Sequence, residues 1–309
     1  MLKERLNRIV IVALNSLRRD VAEQFDSDGL ERSTISSSGK QNRGDFSSSV
    51  AFTLASVNNS QPLLVAKAIA RSIEFSQEGR EMIEELMVAP PGYLNFRLRK
   101  SCLVQVLTSI HKEKHLFGHG LLDKAQQVSL SSWRKGAFNG NQLANGLNSE
   151  MIGPTSRRDP ASFMGYVQGR CDSLIRLIQE ESFNSVEAKI DPPLFNEDEW
   201  QSIQKLFATE GSVFEPALDI RDQAPASSRT LVVRLDGLPV ELKQAVLNND
   251  PSRLIRYAFE VASDLEEFRQ SVRFYTEEKA LLTAKLGVLT AGQQVLSNCL
   301  KLVGAANPE

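Results

Sequence analysis

The sequence has few cysteines, no long apolar run and little net charge, and each scarcity excludes a class of protein. Its three cysteines, Cys102, Cys171 and Cys299, are widely spaced and odd in number, which argues against a disulfide framework and against Cys-x-x-Cys metal chemistry. No stretch reaches the length of a membrane-spanning helix, about 18 apolar residues. The segment Met1–Arg8 lacks the apolar core of a signal peptide. We therefore expect a cytoplasmic protein without a membrane partner.

The net charge is only −2, so the chain lacks the strongly basic balance of a general nucleic-acid binder. The charges are unevenly distributed, however. Residues 1–117 carry 16 Lys and Arg against 13 Asp and Glu, whereas residues 161–309 carry 15 against 22. Such a balance is compatible with RNA binding where the cations cluster on one face.

Residues that could perform chemistry are equally scarce. The chain has no Gly-rich phosphate loop, no paired catalytic carboxylates and no nucleophile-base arrangement. Its three histidines, His111, His115 and His119, fall four residues apart, which would align three imidazoles on a continuous helix. Gly118 and Gly120 indicate that the helix ends before His119, so we predict no metal site and no cofactor.

Residues 1–118 combine helical and strand patterns, and we predict an α+β domain. Helices are indicated by apolar residues at spacings of three and four, and strands by short apolar runs beside Pro and Gly. The predicted elements are, in order, a helix over 2–25, a loop over 26–41, a helix from Pro62, strands at 85–88 and 93–98, and a helix over 100–112.

The remainder of the chain divides into two regions. Residues 119–159 are rich in Ser, Asn and Gly and predict a flexible linker of about 40 residues. Over 160–309, apolar stripes at helical spacing follow one another, which predicts an all-α helical bundle. The stripes begin at Cys171, Trp200, Leu254 and Leu281.

Three motifs resemble those of one enzyme family. Ala89-Pro90-Pro91-Gly92-Tyr93-Leu94-Asn95-Phe96-Arg97-Leu98 resembles the signature strand of the tRNA-reading N-terminal domain of arginyl-tRNA synthetases. Gly44-Asp45-Phe46, with the small-residue segment 50–55 after it, resembles the entry to that domain. Tyr166-Val167-Gln168-Gly169-Arg170 resembles the helix that opens the family's anticodon-binding domain, called the DALR domain. The resemblance covers residues 1–117 and 160–309.

The resemblance implies a synthetase-like protein without its catalytic domain. The family places its nucleotide-binding catalytic domain where this chain has residues 119–159. Neither His-x-Gly-His nor Lys-Met-Ser-Lys-Ser, the family's ATP-phosphate and adenylate motifs, occurs in the sequence. The nearest match, His115-Leu116-Phe117-Gly118-His119, has one residue too many. The chain also stops before the Arg-Met tail that helps to shape the family's anticodon pocket.

The same resemblance supplies candidate RNA-binding residues on the strand. Tyr93 and Asn95 share one strand face and match the family pair that reads a nucleotide of the tRNA D-loop. An aromatic ring beside an amide can stack on an unpaired base and hydrogen-bond its edge. Arg97 and Arg99 would then face the phosphate backbone. The structural alternative is that Tyr93 is a half-buried sheet residue and Asn95 an edge polar group.

A second candidate pair lies on the helix that opens the DALR-like region. Tyr166 and Arg170 lie one turn apart on one helix face and match the family's contacts to the anticodon stem and loop. The family's His is Gln168 here, and a small residue is Gly169. The alternative is that Tyr166 and Arg170 only pack the helix against the bundle.

The expected function is therefore that of a non-catalytic tRNA-binding protein for tRNA(Arg), acting as an adaptor, chaperone or regulator. Its expected protein partner is a tRNA-modifying enzyme or a synthetase. Two alternatives stay open. In the first alternative, the chain is the trans-acting RNA-binding part of a split arginine-tRNA ligase. In the second, it is an interaction module that kept the folds and lost RNA binding.

Overall fold

A computed structural model of the chain describes residues 1–18, 35–37, 44–57, 59–124, 126, 160–184, 228–274 and 279–303. The described residues form two compact units, one built on Met1–Leu103 and the other beginning at Val104. Most of the predicted linker over 119–159, and the predicted stripe at Trp200, lie outside the described residues. No described helix is both long enough and apolar enough to span a bilayer.

The first unit combines helices with a four-stranded sheet. Its elements are α1 (Leu2–Arg18), β1 (Ile35–Ser37), β2 (Phe46–Ser48), α2 (Val50–Val57), α3 (Pro62–Phe75), α4 (Gln77–Met82), β3 (Ile83–Ala89) and β4 (Tyr93–Leu98). The strand order is β1-β2-β4-β3, and all three neighbouring pairs are antiparallel. β4 is therefore an inner strand, with backbone hydrogen bonds on both sides.

The core of the first unit is formed by one face of β4 and the apolar faces of the helices. Leu94, Phe96 and Leu98 alternate along β4 and are fully buried, as expected of residues that share a strand face. Ile69 and Ile73 of α3 are buried at a helical spacing of four. α3 packs against α1 and against β3 and β4, so the signature strand rests on this helix.

The α+β prediction is confirmed, and most predicted elements occur with small shifts of their ends, whereas residues 19–25 of the predicted first helix lie outside the described residues. The loop predicted over 26–41 was wrong at 35–37, where β1 pairs with β2. β2 and α4 were not predicted, because both are short. β2 contains two serines, and α4 has one glycine within its six residues, so neither segment shows a strong apolar period.

The described regular elements of the second unit are all helical. α5 (Lys100–Glu113) begins in the first unit and continues into the second. It is followed by two 3₁₀ turns (Lys114–Leu116 and His119–Leu121) and by α6 (Pro160–Asn184), α7 (Ser228–Leu235), α8 (Leu238–Leu247), α9 (Pro251–Ser271) and α10 (Lys279–Leu302). α9 lies at the centre and packs against α6, α7, α8 and α10. The predicted helical bundle is confirmed over these residues.

The end of α5 and the turns after it pack on this bundle. The Nε2 atom of His111 lies 2.9 Å from the carbonyl oxygen of Gly287 and donates a hydrogen bond to it. Burial lowers the pKa of His111, which keeps the imidazole neutral. Gly118 has a φ of +97°, and a Cβ there would lie 3.0 Å from Cγ of Leu238. The second unit thus includes residues that the sequence assigns to the domain 1–118, and the domain boundaries at 118 and 159 stay predictions.

We expect Gly169→Ala to stabilise the second unit by about 0.5 to 1 kcal/mol. Gly169 lies inside α6, and a Cβ there would have no described atom within 4 Å apart from its own stretch of helix backbone, so alanine improves helix propensity without a clash. Gly292→Ala in α10 is the matched control, because its Cβ would lie 2.6 Å from Cδ1 of Leu265. That change should destabilise by about 1 to 3 kcal/mol. Urea unfolding followed by circular dichroism measures both variants, and shifts of the same sign would contradict the expectation.

Candidate nucleic-acid interface

The C-terminal half of β4 is held by Gly44 and Asp45. The Oδ2 atom of Asp45 accepts a hydrogen bond from the amide of Leu98 at 2.7 Å, and the amide of Asp45 donates to the carbonyl oxygen of Phe96 at 2.7 Å. Gly44 has a φ of +78°, and a Cβ there would lie 2.6 Å from that same oxygen. Only glycine fits so close to a backbone in this conformation, which gives the Gly-Asp motif a structural role.

The N-terminal end of β4 is fixed by the turn that precedes it. The amide of Gly92 donates to the carbonyl oxygen of Ala89 at 2.9 Å and closes the turn from β3. A Cβ at Gly92 would lie 2.8 Å from Cβ of Pro62, so the turn packs directly against the first residue of α3. Tyr93 follows this turn and begins the strand on a rigid support.

Tyr93 and Asn95 lie on the face of β4 opposite to the core residues, and their exposures differ. Tyr93 is 43% exposed, and its ring packs edge-on against Phe52 with centroids 4.9 Å apart. Asn95 is only 4% exposed. Its Oδ1 atom is buried and has no hydrogen-bond partner among the described residues. The strand thus presents an accessible aromatic ring two residues from an unused acceptor.

The neighbouring strands explain why Asn95 is covered. Ser47 of β2 and Met87 of β3 pair directly with Asn95, and side chains opposite each other on adjacent strands lie in contact distance. An unpaired buried acceptor costs about 1 to 3 kcal/mol. A ligand N–H or O–H that bonded to Oδ1 of Asn95 would remove that cost, but because the atom is buried the side chain must first turn toward the surface.

The two arginines that follow differ in accessibility. The side chain of Arg97 is 13% exposed, and its Nε atom lies 3.8 Å from Oε2 of Glu84. Arg99 is exposed and donates from Nε to the carbonyl oxygen of Arg80 at 2.6 Å. Arg99 is therefore better placed than Arg97 to meet a phosphate, and the phosphate contacts of both stay predictions.

α6 is oriented by its apolar stripe and by a polar contact to α10. The buried residues of the stripe are Met164, Val167, Cys171 and Ile178. Asp172 accepts a hydrogen bond from Nε2 of Gln293 at 2.7 Å, and the rings of Phe163 and Phe259 lie 5.3 Å apart. This packing leaves Tyr166 and Arg170 on the exposed side of α6.

Tyr166 and Arg170 lie close together on that side. Tyr166 is 41% exposed, and Cζ of Arg170 lies 5.9 Å from the centroid of its ring, within the range of a cation-π contact. An exposed ring with a guanidinium near its face offers both stacking and charge to an RNA loop.

Arg269 and Glu266 of α9 lie beside Tyr166 and Arg170 and were not predicted from the sequence. Arg269 of α9 donates from Nε to Oε2 of Glu266 at 2.8 Å and from Nη2 to Oε1 at 2.6 Å. These hydrogen bonds are the main reason that the pKa of Arg269 is raised, and the nearby Tyr166 contributes in the same direction. The only sequence signal was the Glu-x-x-Arg spacing on a helix, which is common on solvated faces.

The three histidines do not share one helix, because α5 ends at Glu113 and 3₁₀ turns follow. Within the part of the chain that the structure describes, no group of three or more His, Cys, Asp or Glu side chains could hold a metal ion.

Two family models match the chain. Residues 4–98 match the arginyl tRNA synthetase N terminal domain, and residues 165–309 match the DALR anticodon binding domain. The matched ranges contain the residues of both sites except Arg99, which lies one residue beyond the first range, and the resemblance drawn from the sequence motifs is confirmed.

Curated relatives of the chain include arginine–tRNA ligases of bacteria. The chain is 27% identical to that of Caldanaerobacter subterraneus over 128 residues, which are 41% of this chain and 22% of the relative. It is 30% identical to the ligase of Synechococcus sp. over 155 residues, which are 49% of this chain and 22% of the relative. It is 37% identical to the ligase of Gloeobacter violaceus over 81 residues, which are 25% of this chain and 14% of the relative. The chain thus spans less than a quarter of each relative, and no solved structure matches it.

Proposed function

This chain carries an arginyl tRNA synthetase N-terminal domain and a DALR anticodon binding domain, and from that premise we propose that it binds tRNA without charging it. The expected tRNA is tRNA(Arg), because the N-terminal domain is that of an arginine enzyme. The expected role is that of an adaptor, chaperone or regulator in the cytoplasm, with a tRNA-modifying enzyme or a synthetase as protein partner.

The observation that carries the proposal is the exposed Tyr93 ring beside the buried Oδ1 of Asn95. An unstacked base has an aromatic face and polar edges, and proteins read it by stacking and by hydrogen bonds to those edges. Tyr93 offers the stacking surface, and Asn95 offers an acceptor that nothing in the described part of the chain uses. Stacking of this kind contributes about 1 to 3 kcal/mol per base.

The lack of catalysis is supported by the region between the two matched domains. The matches leave out residues 99–164, and the described part of that region begins with α5 and two 3₁₀ turns. The sequence has no Gly-rich phosphate loop and neither of the synthetase motifs for ATP. Adenylate chemistry needs fixed groups on the phosphates, and neither motif that supplies them in the family occurs in this sequence.

The second candidate is an RNA-binding part of a split arginine-tRNA ligase. It is favoured by the relatives, whose names give arginine-tRNA ligation and whose chains extend far beyond the matched region. Such a part would act together with a separate catalytic subunit, so the two candidates differ in whether the chain stimulates charging by another protein.

We expect the purified protein to retain tRNA(Arg) from total tRNA on a filter and to show no arginine-dependent exchange of pyrophosphate into ATP. Sequencing of the retained RNA identifies the tRNA. Exchange above background would contradict the non-catalytic proposal, and stimulation of charging by an added ligase would favour the split enzyme. If no tRNA is retained, the chain is an interaction module and the proposal is wrong.

A further inference from the structure

Glu266 lies within a cluster of donors at the crossing of α9 and α6. Arg269 binds its carboxylate through both Nε and Nη2, at 2.8 and 2.6 Å, and Nε2 of Gln270 donates to Oε1 at 2.6 Å. A guanidinium fork of this kind binds a carboxylate and a phosphate with the same geometry. Glu266 therefore holds the position that a bound phosphate oxygen would take.

The surroundings favour an anion at this position. Burial alone would raise the pKa of Glu266, but the hydrogen bonds from Arg269 and Gln270, together with the charges of Arg269 and Arg170, lower it. The Glu266 and Arg269 side chains are only 12% and 16% exposed, whereas Tyr166 and Arg170 next to them are exposed. The cluster therefore lies at the edge of the Tyr166 surface, where an RNA strand stacked on the ring would bring its phosphates.

We propose that Arg269, Gln270 and Arg170 form a phosphate site that Glu266 occupies in the free protein and that an RNA backbone phosphate takes over on binding. The inference rests on the proposed tRNA binding and specifies the group bound at the DALR-domain surface. Glu266 is then an intramolecular competitor that weakens RNA binding, because its carboxylate must leave the Arg269 fork before the phosphate enters.

The test compares Glu266→Gln with Glu267→Gln in the full chain. Both changes remove one negative charge from adjacent positions of α9, and Glu267 is exposed, so the general electrostatic gain is matched. Only Glu266→Gln frees the Arg269 fork. We expect Glu266→Gln to bind tRNA several-fold more tightly than Glu267→Gln, because no carboxylate has to leave the Arg269 fork before the phosphate enters.

A double variant identifies Arg269 as the group released. Adding Arg269→Ala to Glu266→Gln should remove the gain in affinity and reduce the slope of log affinity against log salt by about 0.7 to 0.9, the value for one lost phosphate contact. Equal affinities of the two single variants, with tRNA binding of the wild type intact, would overturn the phosphate site and leave the proposed function standing. If the wild type does not bind tRNA at all, both are overturned. Circular dichroism checks that every variant is folded.

Discussion

Replacing Tyr93 and Asn95 together by alanine should weaken tRNA binding about tenfold or more, because the loss of one stacked base costs about 1 to 3 kcal/mol. Tyr93 is 43% exposed and available for stacking, and the Asn95 acceptor adds the loss of a base-edge hydrogen bond. Removing a cation that meets a phosphate elsewhere would give a smaller, salt-dependent change. Filter binding with tRNA(Arg) at two salt concentrations separates the two effects.

The fold should survive this double change. Oδ1 of Asn95 has no partner among the described residues, so alanine leaves no known donor unpaired, and Tyr93 contributes only an edge contact to Phe52. Tyr93→Phe is the matched control, since it keeps the ring and should bind within about twofold of the wild type. An affinity of the double variant within twofold of wild type, with an unchanged circular dichroism spectrum, would disprove the D-loop assignment.

The signature strand shows what the sequence could and could not predict. The alternation of Leu94, Phe96 and Leu98 with polar residues predicted the strand and placed Tyr93 and Asn95 on one face. The burial of Asn95 was not predictable, because it depends on Ser47 and Met87 in other strands. Strand pairing between distant segments leaves no local pattern in the sequence.

α5 shows a different limit. Its buried residues include Cys102 and Leu103 in the first unit and Val104, Leu107 and Ile110 in the second. The apolar stripe is continuous through this change, so periodicity predicted the helix and gave no sign that the division between the two units falls within it. The proposed phosphate site was not predictable either, because its parts on α6 and α9 are almost a hundred residues apart and leave no local pattern in the sequence.

The second large effect is expected for stability. Arg234→Met should destabilise the helical unit by about 3 kcal/mol, because it leaves Asp264, whose side chain is only 13% exposed, without its counter-charge. Nη1 of Arg234 lies 2.5 Å from Oε2 of Glu260, and Nε binds Oδ2 of Asp264. These bonds fasten α7 to α9, and urea unfolding measures their loss.

Arg253→Met provides the matched control in the same unit. Arg253 binds Glu241 at 2.6 Å, and the two side chains are 37% and 29% exposed, compared with 23% for Arg234 and 13% for Asp264. Water screens the more exposed pair, so its loss should cost about 0.2 to 1 kcal/mol. Equal losses of unfolding free energy for Arg234→Met and Arg253→Met would show that the Arg234 cluster stabilises the unit no more than the exposed pair does.

The cost of Arg234→Met should also depend on pH. Burial raises the pKa of Glu260 and of Asp264 in the folded protein, and the charge of Arg234 opposes that rise without cancelling it. A carboxyl with a raised folded pKa binds more protons when folded than when unfolded, so stability falls as pH rises from about 4 through the folded pKa. Without Arg234 both pKa values rise further, which widens this window. The difference in unfolding free energy between wild type and Arg234→Met should therefore grow between pH 4 and 7, and a difference independent of pH would mean that the carboxylates do not depend on Arg234.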